Sequence, residues 1–158
     1  MNAGSNEPKF NQIKRSDVEI QKAHSLALST INGFINQVKS GGNQAYMAKL
    51  RFRDPDLSEQ LGEDQFLYLW LNEVVYHPED KLLSGVFFEV PDSLKEWHQV
   101  GQRLGFVPED VFDWMVNDNG KVEGGFTIRV TRSRLTSEEE KTRYDEYIGI
   151  SSYEPIPE

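Results

Sequence analysis

VFDWMVNDNGKVEGGFTIRV, running from Val111 to Val130, is the stretch whose reading decides the fold. Asn119-Gly120 stands between two runs rich in β-formers, and that dipeptide suits the positive φ angles of a two-residue type I′ hairpin turn. The expected hairpin has its first strand from Val111 and its second from Lys121, continuing to about Arg132. Asp113-Trp114 flank the turn on one side and Gly124-Gly125 on the other. The stretch fixes structure, but it carries no recognisable chemistry.

Working outward, Pro108 to Phe112 reads as a single helical turn that feeds the hairpin, preceded by a short strand from Arg103 to Val107. Lys81 to Val90 is another strand, followed by a short helical or irregular piece from Pro91 through Trp97. Phe66 to Tyr76 is apolar on both faces, as a central strand covered on both sides would be. Tyr46, Ala48, Leu50 and Phe52 alternate with Met47, Lys49, Arg51 and Arg53, a period of two that signals a half-buried strand. Asp54-Pro55-Asp56 breaks it. Ahead of that strand, Val18, Ile20, Ala23, Ala27, Ile31, Phe34, Ile35 and Val38 recur at mostly three- and four-residue steps. They make one amphipathic helix, with Ser16 and Glu19 as a capping box and Gly41-Gly42 as its stop. At the other end, Thr136 to Glu139 gives a second capping box, opening a short charged helix to Ile148 that Gly149 ends.

The fold class is therefore α+β. An N-terminal amphipathic helix packs on a strongly bent, mainly antiparallel sheet of five to six strands, with a short charged C-terminal helix. Residues 1–15 read as a loose leader, 16–150 as a single domain and 151–158 as a flexible tail.

Composition narrows the function. The formal net charge is -9 over 158 residues, which argues against nucleic acid or an anionic membrane as the main partner. The chain has no cysteine, which removes disulfides, thiolate catalysis and cysteine–zinc sites. No stretch approaches the ~20 apolar residues of a membrane span and no secretory signal is present, so a cytoplasmic location is expected.

Leu69-Trp70-Leu71, Gly85, Pro91, Gly101, Asp113-Trp114 and the run from Gly124-Gly125 to Val130 together give the chain a family look. In this pattern it resembles the YegJ-like bacterial family of unknown function, over a core of about residues 45–132. The most specific piece is Asp-Trp, a hairpin and Gly-Gly-x-Thr-x-Arg. The resemblance implies a small, sheet-rich bacterial domain whose members look like accessory proteins, including candidates for toxin immunity. It brings no catalytic residues.

Searching for chemistry returns little. His24, His77 and His98 have no pairwise spacing that would let two imidazoles share a metal on one helix, and each reads as solvated or hydrogen-bonded. There is no Gly-x-Ser-x-Gly elbow and no phosphate loop. Asn117 to Gly120 faintly resembles a calcium loop but lacks its closing glutamate, so the turn explains it. Trp70 and Trp97 read as packing residues. Neither a cofactor nor a metal is expected.

Two acidic surfaces remain. One holds Asp54, Asp56, Glu59, Glu63 and Asp64; the other holds Glu138, Glu139, Glu140, Asp145 and Glu146. Each is a solvated face in the plainest reading, and a patch that steers a basic protein in the functional one. The leading expectation is a non-enzymatic binding protein, an immunity protein that neutralises a toxin by steric occlusion. A small-ligand binder or enzyme using a cleft near Asp113, Trp114, Gly124 and Gly125 is the alternative. A homo-oligomeric structural subunit, with the first helix exposing its apolar stripe, is a third class.

Overall fold

Residues 17–156 are described by a computed structural model of the chain. The first helix, α1 (Val18–Ser40), starts at Asp17, whose carboxylate accepts the Ile20 N–H at 3.2 Å. Ser16, the cap expected from sequence, lies outside the described residues. Arg134 donates to both Asp17 oxygens, at 2.8 and 2.7 Å, and to Glu19 at 3.1 Å. The apolar stripe of α1 is spent within the domain: Ile20, Ala23, Ala27, Phe34, Ile35 and Val38 are all buried.

Strands β1 (Ala45–Arg53), β2 (Phe66–His77), β3 (Leu82–Phe87), β4 (Arg103–Phe106), β5 (Val111–Asp118), β6 (Lys121–Gly124) and β7 (Ser152–Tyr153) form one sheet. Their order is β4-β3-β2-β1-β5-β6-β7. Every pairing is antiparallel except that of β6 with β7. The sheet thus has seven strands rather than five or six. In place of a strong bend, it departs from regularity at two register shifts, one at Lys49/Leu50 against β5 and one between Asn72 and Val75. Ser152 and Tyr153, read from sequence as flexible tail, add to the β6 edge.

The hairpin turn is as expected, with φ of 50° at Asn119 and 95° at Gly120. Its second strand is shorter. β6 stops at Gly124, and Phe126–Ser133 is a helix, α3, where a strand to Arg132 was expected. The glycine pair makes the change of direction. Gly124 and Gly125 have φ of 79° and 62°, and a Cβ on Gly124 would lie 2.4 Å from the Trp114 carbonyl oxygen. Only glycine tolerates both conditions. A second helix absent from the sequence reading is α2 (Pro55–Leu61), with Asp54 capping the Leu57 N–H at 3.1 Å and Gly62 ending it. The last helix, α4 (Glu138–Ile148), is capped by Ser137, one residue later than expected. The partner at its third position is Glu140, whose carboxylate accepts from Thr136 and Ser137.

The pleat sorts the core. Tyr46, Ala48, Leu50, Leu69, Leu71, Trp114 and Val116 join the α1 side chains in the main cluster. Trp70, Met115 and Val122 meet Ile128, Tyr144 and Ile150 in a second cluster, with Met47 packed against it. Phe126 belongs to the first cluster and Ile128 to the second, so α3 serves both.

Candidate functional site

Two places stand out, one buried and one on the surface. The buried one begins with a cross-strand pair, since Lys49 on β1 lies directly opposite Asp113 on β5. Past this pair the register shifts, and Phe112 is the extra residue of the bulge. A bulge re-aims side chains; here the Phe112 ring centroid lies 5.8 Å from the Lys49 ammonium, with those of Trp70 at 5.7 Å and Tyr68 at 6.0 Å. Phe112 is held from behind by His24, which stacks on it at 4.3 Å.

Asp113 is fully buried and fully employed. One carboxylate oxygen accepts the backbone N–H groups of Trp114 at 2.8 Å and Phe126 at 3.2 Å. The other accepts the Thr127 N–H at 2.8 Å and its hydroxyl at 2.6 Å. Gly125 provides no side-chain cap, so α3 takes its N-terminal acceptor from β5. Lys49 completes the chain by donating to the Thr127 hydroxyl oxygen at 3.1 Å. Burial pushes the Asp113 carboxyl up, against the pull of the Thr127 hydrogen bond and the Lys49 charge. Burial also drives the Lys49 ammonium down to about 8, with Asp113 resisting. Both groups are thus moved toward their neutral forms, as a desolvated pair should be.

Lys49 and Thr127 line a cavity of about 270 Å³ whose walls include Trp70, Met115 and Tyr144, with Phe88 and Tyr147 at its rim. The sequence placed a cleft near Asp113, Trp114, Gly124 and Gly125. The structure puts the cavity next to these residues, but none of the four lines it. What approaches Gly124 closely is Trp114 itself. Lys49 and Thr127 were missed as site residues. Only their places opposite and after Asp113 in a correct strand pairing could have marked them.

The surface site is a broad groove of about 1400 Å³ that carries Glu63, Asp64, Glu109 and Asp110 together with Arg51 and His24. Glu63 and Asp64 were expected as partner contacts; Glu109 and Asp110, brought alongside by the turn after β4, were not. Phe52 lines this groove and also an adjoining hollow formed with Arg53, Pro55 and Trp97. Trp97 is 57% exposed and is not the packing residue that its type suggested. Asp56 and Glu59 are exposed on α2, while Asp54 is occupied as its cap. Asp64 is paired with Arg53 at 2.9 Å.

The second acidic group divides by task. Asp145 is held by Arg132 at 2.9 and 3.1 Å and by the Tyr153 hydroxyl at 2.8 Å, and Glu140 caps its own helix. Glu138, Glu139 and Glu146 are exposed. The two groups have separate surroundings: α2 packs by the turn at Asp92–Leu94, whereas Tyr144 seats α4 on the Trp70–Met115 side of the sheet.

Residues 17–152 match the family described as "Uncharacterized protein conserved in bacteria (DUF2314)". The chain belongs to this family. The matched stretch takes in both α1 and α4, which the sequence resemblance left outside its core. The chain is also 33% identical over 98 residues to a putative ankyrin repeat protein of Neisseria meningitidis serogroup B, an alignment covering 61% of this chain and 37% of that protein. The aligned stretch thus spans little more than a third of that relative's length. No solved structure matches the chain. Among the described residues, no helix is long and apolar enough to cross a membrane.

Proposed function

We propose that this bacterial domain, of the YegJ-like type, is a cytoplasmic binding protein that neutralises a basic protein partner by steric occlusion, as an immunity protein does. The observation that carries the reading is the groove in which Glu63, Asp64, Glu109 and Asp110 come together from two separate segments. Four carboxylates against the one guanidinium of Arg51 leave the groove lining net negative, and a concave surface with one dominant sign of charge concentrates field and speeds encounter with the opposite sign. Trp97 supplies the complementary element beside it, a large exposed ring of the kind that anchors interfaces, with charged residues around it. Asp56 and Glu59 extend the acidic rim on α2.

The test is affinity capture from the native cell, run in parallel with the wild-type chain, Trp97→Ala, and a groove variant carrying Glu63→Gln, Glu109→Gln and Asp110→Asn. A stoichiometric basic partner that both variants lose, with association that weakens steeply with salt, supports the reading. Retention of the same partner by both variants would place the interface elsewhere and defeat it.

A further inference from the structure

The cavity beside the Asp113–Thr127–Lys49 chain has no part in the binding reading above. Its walls are chiefly apolar and aromatic, with Glu89 and Thr131 also among them, and Lys49 and Thr127 line it as a linked amine and hydroxyl. This is the make-up of a small-molecule site, a concave apolar pocket with a few placed polar groups. Among the described residues, the acceptor found for the Lys49 amine is the Thr127 hydroxyl, a neutral group. Three aromatic faces surround the amine. The hydroxyl that receives its hydrogen bond passes its own proton toward Asp113 at 2.6 Å, which gives the amine a path for proton loss.

We infer that Lys49 is an amine nucleophile that takes a small apolar aldehyde or ketone as an imine within this cavity. The ammonium first gives a proton along Thr127 to Asp113. The freed nitrogen pair attacks the carbonyl carbon, a C–N bond forms as the C=O π bond breaks, and the surplus proton on the attacking nitrogen passes to the oxygen to give a carbinolamine. The nitrogen pair then expels that hydroxyl, which takes up the proton returned from Asp113 through Thr127 and leaves as water. One carbonyl compound is bound and one water released, with no oxidant or reductant involved. A buried lysine is suited to this because desolvation raises its neutral fraction near pH 7. The direction of the Lys49 shift agrees with that requirement. Half-exposed Phe88 and Tyr147 at the rim leave the floor within reach of a ligand of one ring.

The test is competitive reductive labelling of the full wild-type chain at pH 7, using limiting benzaldehyde and cyanoborohydride, with peptide mapping by mass spectrometry. Hydride delivery to the imine carbon fixes a benzyl group wherever the imine formed. In the folded chain, Lys49 is expected to be labelled at least about tenfold more than the exposed Lys22, Lys39 and Lys81. Mapping separates this signal from the α-amino group, which titrates in the same range. In denaturing urea the advantage should vanish. Labelling of Lys49 no greater than that of the surface lysines, or equal in folded and unfolded chains, overturns the proposal. Lys49→Met should lose the internal adduct while keeping the surface ones. Because the decisive comparison uses the wild-type chain, it does not depend on that variant folding. Nor does it depend on the acidic groove, since no protein partner is present.

Discussion

The two sides of the β1–β5 pair solve burial in different ways. On the side facing α1, Ala48, Trp114 and Val116 meet Phe34 in a cluster of apolar side chains, and Phe34 stacks on Trp114 at 5.2 Å. One residue along each strand, on the opposite side, the same backbone buries Lys49 and Asp113. The first side is held by area and fit, which lose value gradually as atoms are removed. The second is held by several donors converging on one carboxylate, so that removing this acceptor strands them together. Such an arrangement is seldom the cheapest way to fill a core. What it provides is direction: an acceptor aimed at the start of α3 and an amine aimed at the cavity.

The comparison can be broken or sharpened by substitution. The largest effect is expected on the apolar side, where Phe34→Ala should cost about 4 kcal/mol in urea unfolding through lost transfer energy and a cavity. Asp113→Asn should cost about 3 kcal/mol, because the amide presents donors to the Phe126 and Thr127 N–H groups and leaves the Lys49 charge unbalanced. A loss under 1 kcal/mol would mean that the polar chain does not hold α3. Next in size is a pH effect. Burial lowers Lys49 from 10.5 to about 8, so between these values the unfolded chain holds a proton that the folded chain has released. Stability should therefore rise by about 2 kcal/mol from pH 8 to pH 10. Beyond that the sign reverses, since burial pushes the Tyr144 hydroxyl up to about 12 and unfolded tyrosine ionises first. The smallest effect is expected for Lys49→Met, within about 1 kcal/mol at pH 7, because Asp113 keeps its other donors. That variant should also lose the rise with pH. If Lys49→Met instead costs as much as Asp113→Asn, the two charges form one inseparable unit.

The sequence showed what depends on neighbours along the chain. α1, the strand periods and the Asn119-Gly120 turn are local, and each appears in the structure within a few residues of its expected place. α2 was legible too: Asp54 before Pro55, with Gly62 closing, is a helix start and stop, where the sequence reading took Asp54-Pro55-Asp56 only as the end of a strand. α3 was not legible. Phe126 to Thr131 is rich in β-branched residues and alternates as a strand would, and its cap comes from Asp113 rather than from Gly125. The acidic groove was half visible for the same reason. Glu63 and Asp64 lie in a run of acids, whereas Glu109 and Asp110 join them only because β2 and β5, the strands that follow the two segments, both pair with β1.

The borrowed cap of α3 also sets an order of events. An isolated eight-residue helix with no side-chain cap of its own falls short of the ~12–15 residues at which helices become marginal in water. It gains its acceptor only once β5 is in place and the glycine pair has turned the chain. α3 should accordingly be unformed at the folding barrier and acquire its hydrogen bonds on the downhill side. Thr127→Val would then accelerate unfolding in stopped-flow measurements and leave the refolding rate nearly unchanged. The helix that carries the Thr127 hydroxyl to Lys49 would be the last element in and the first out.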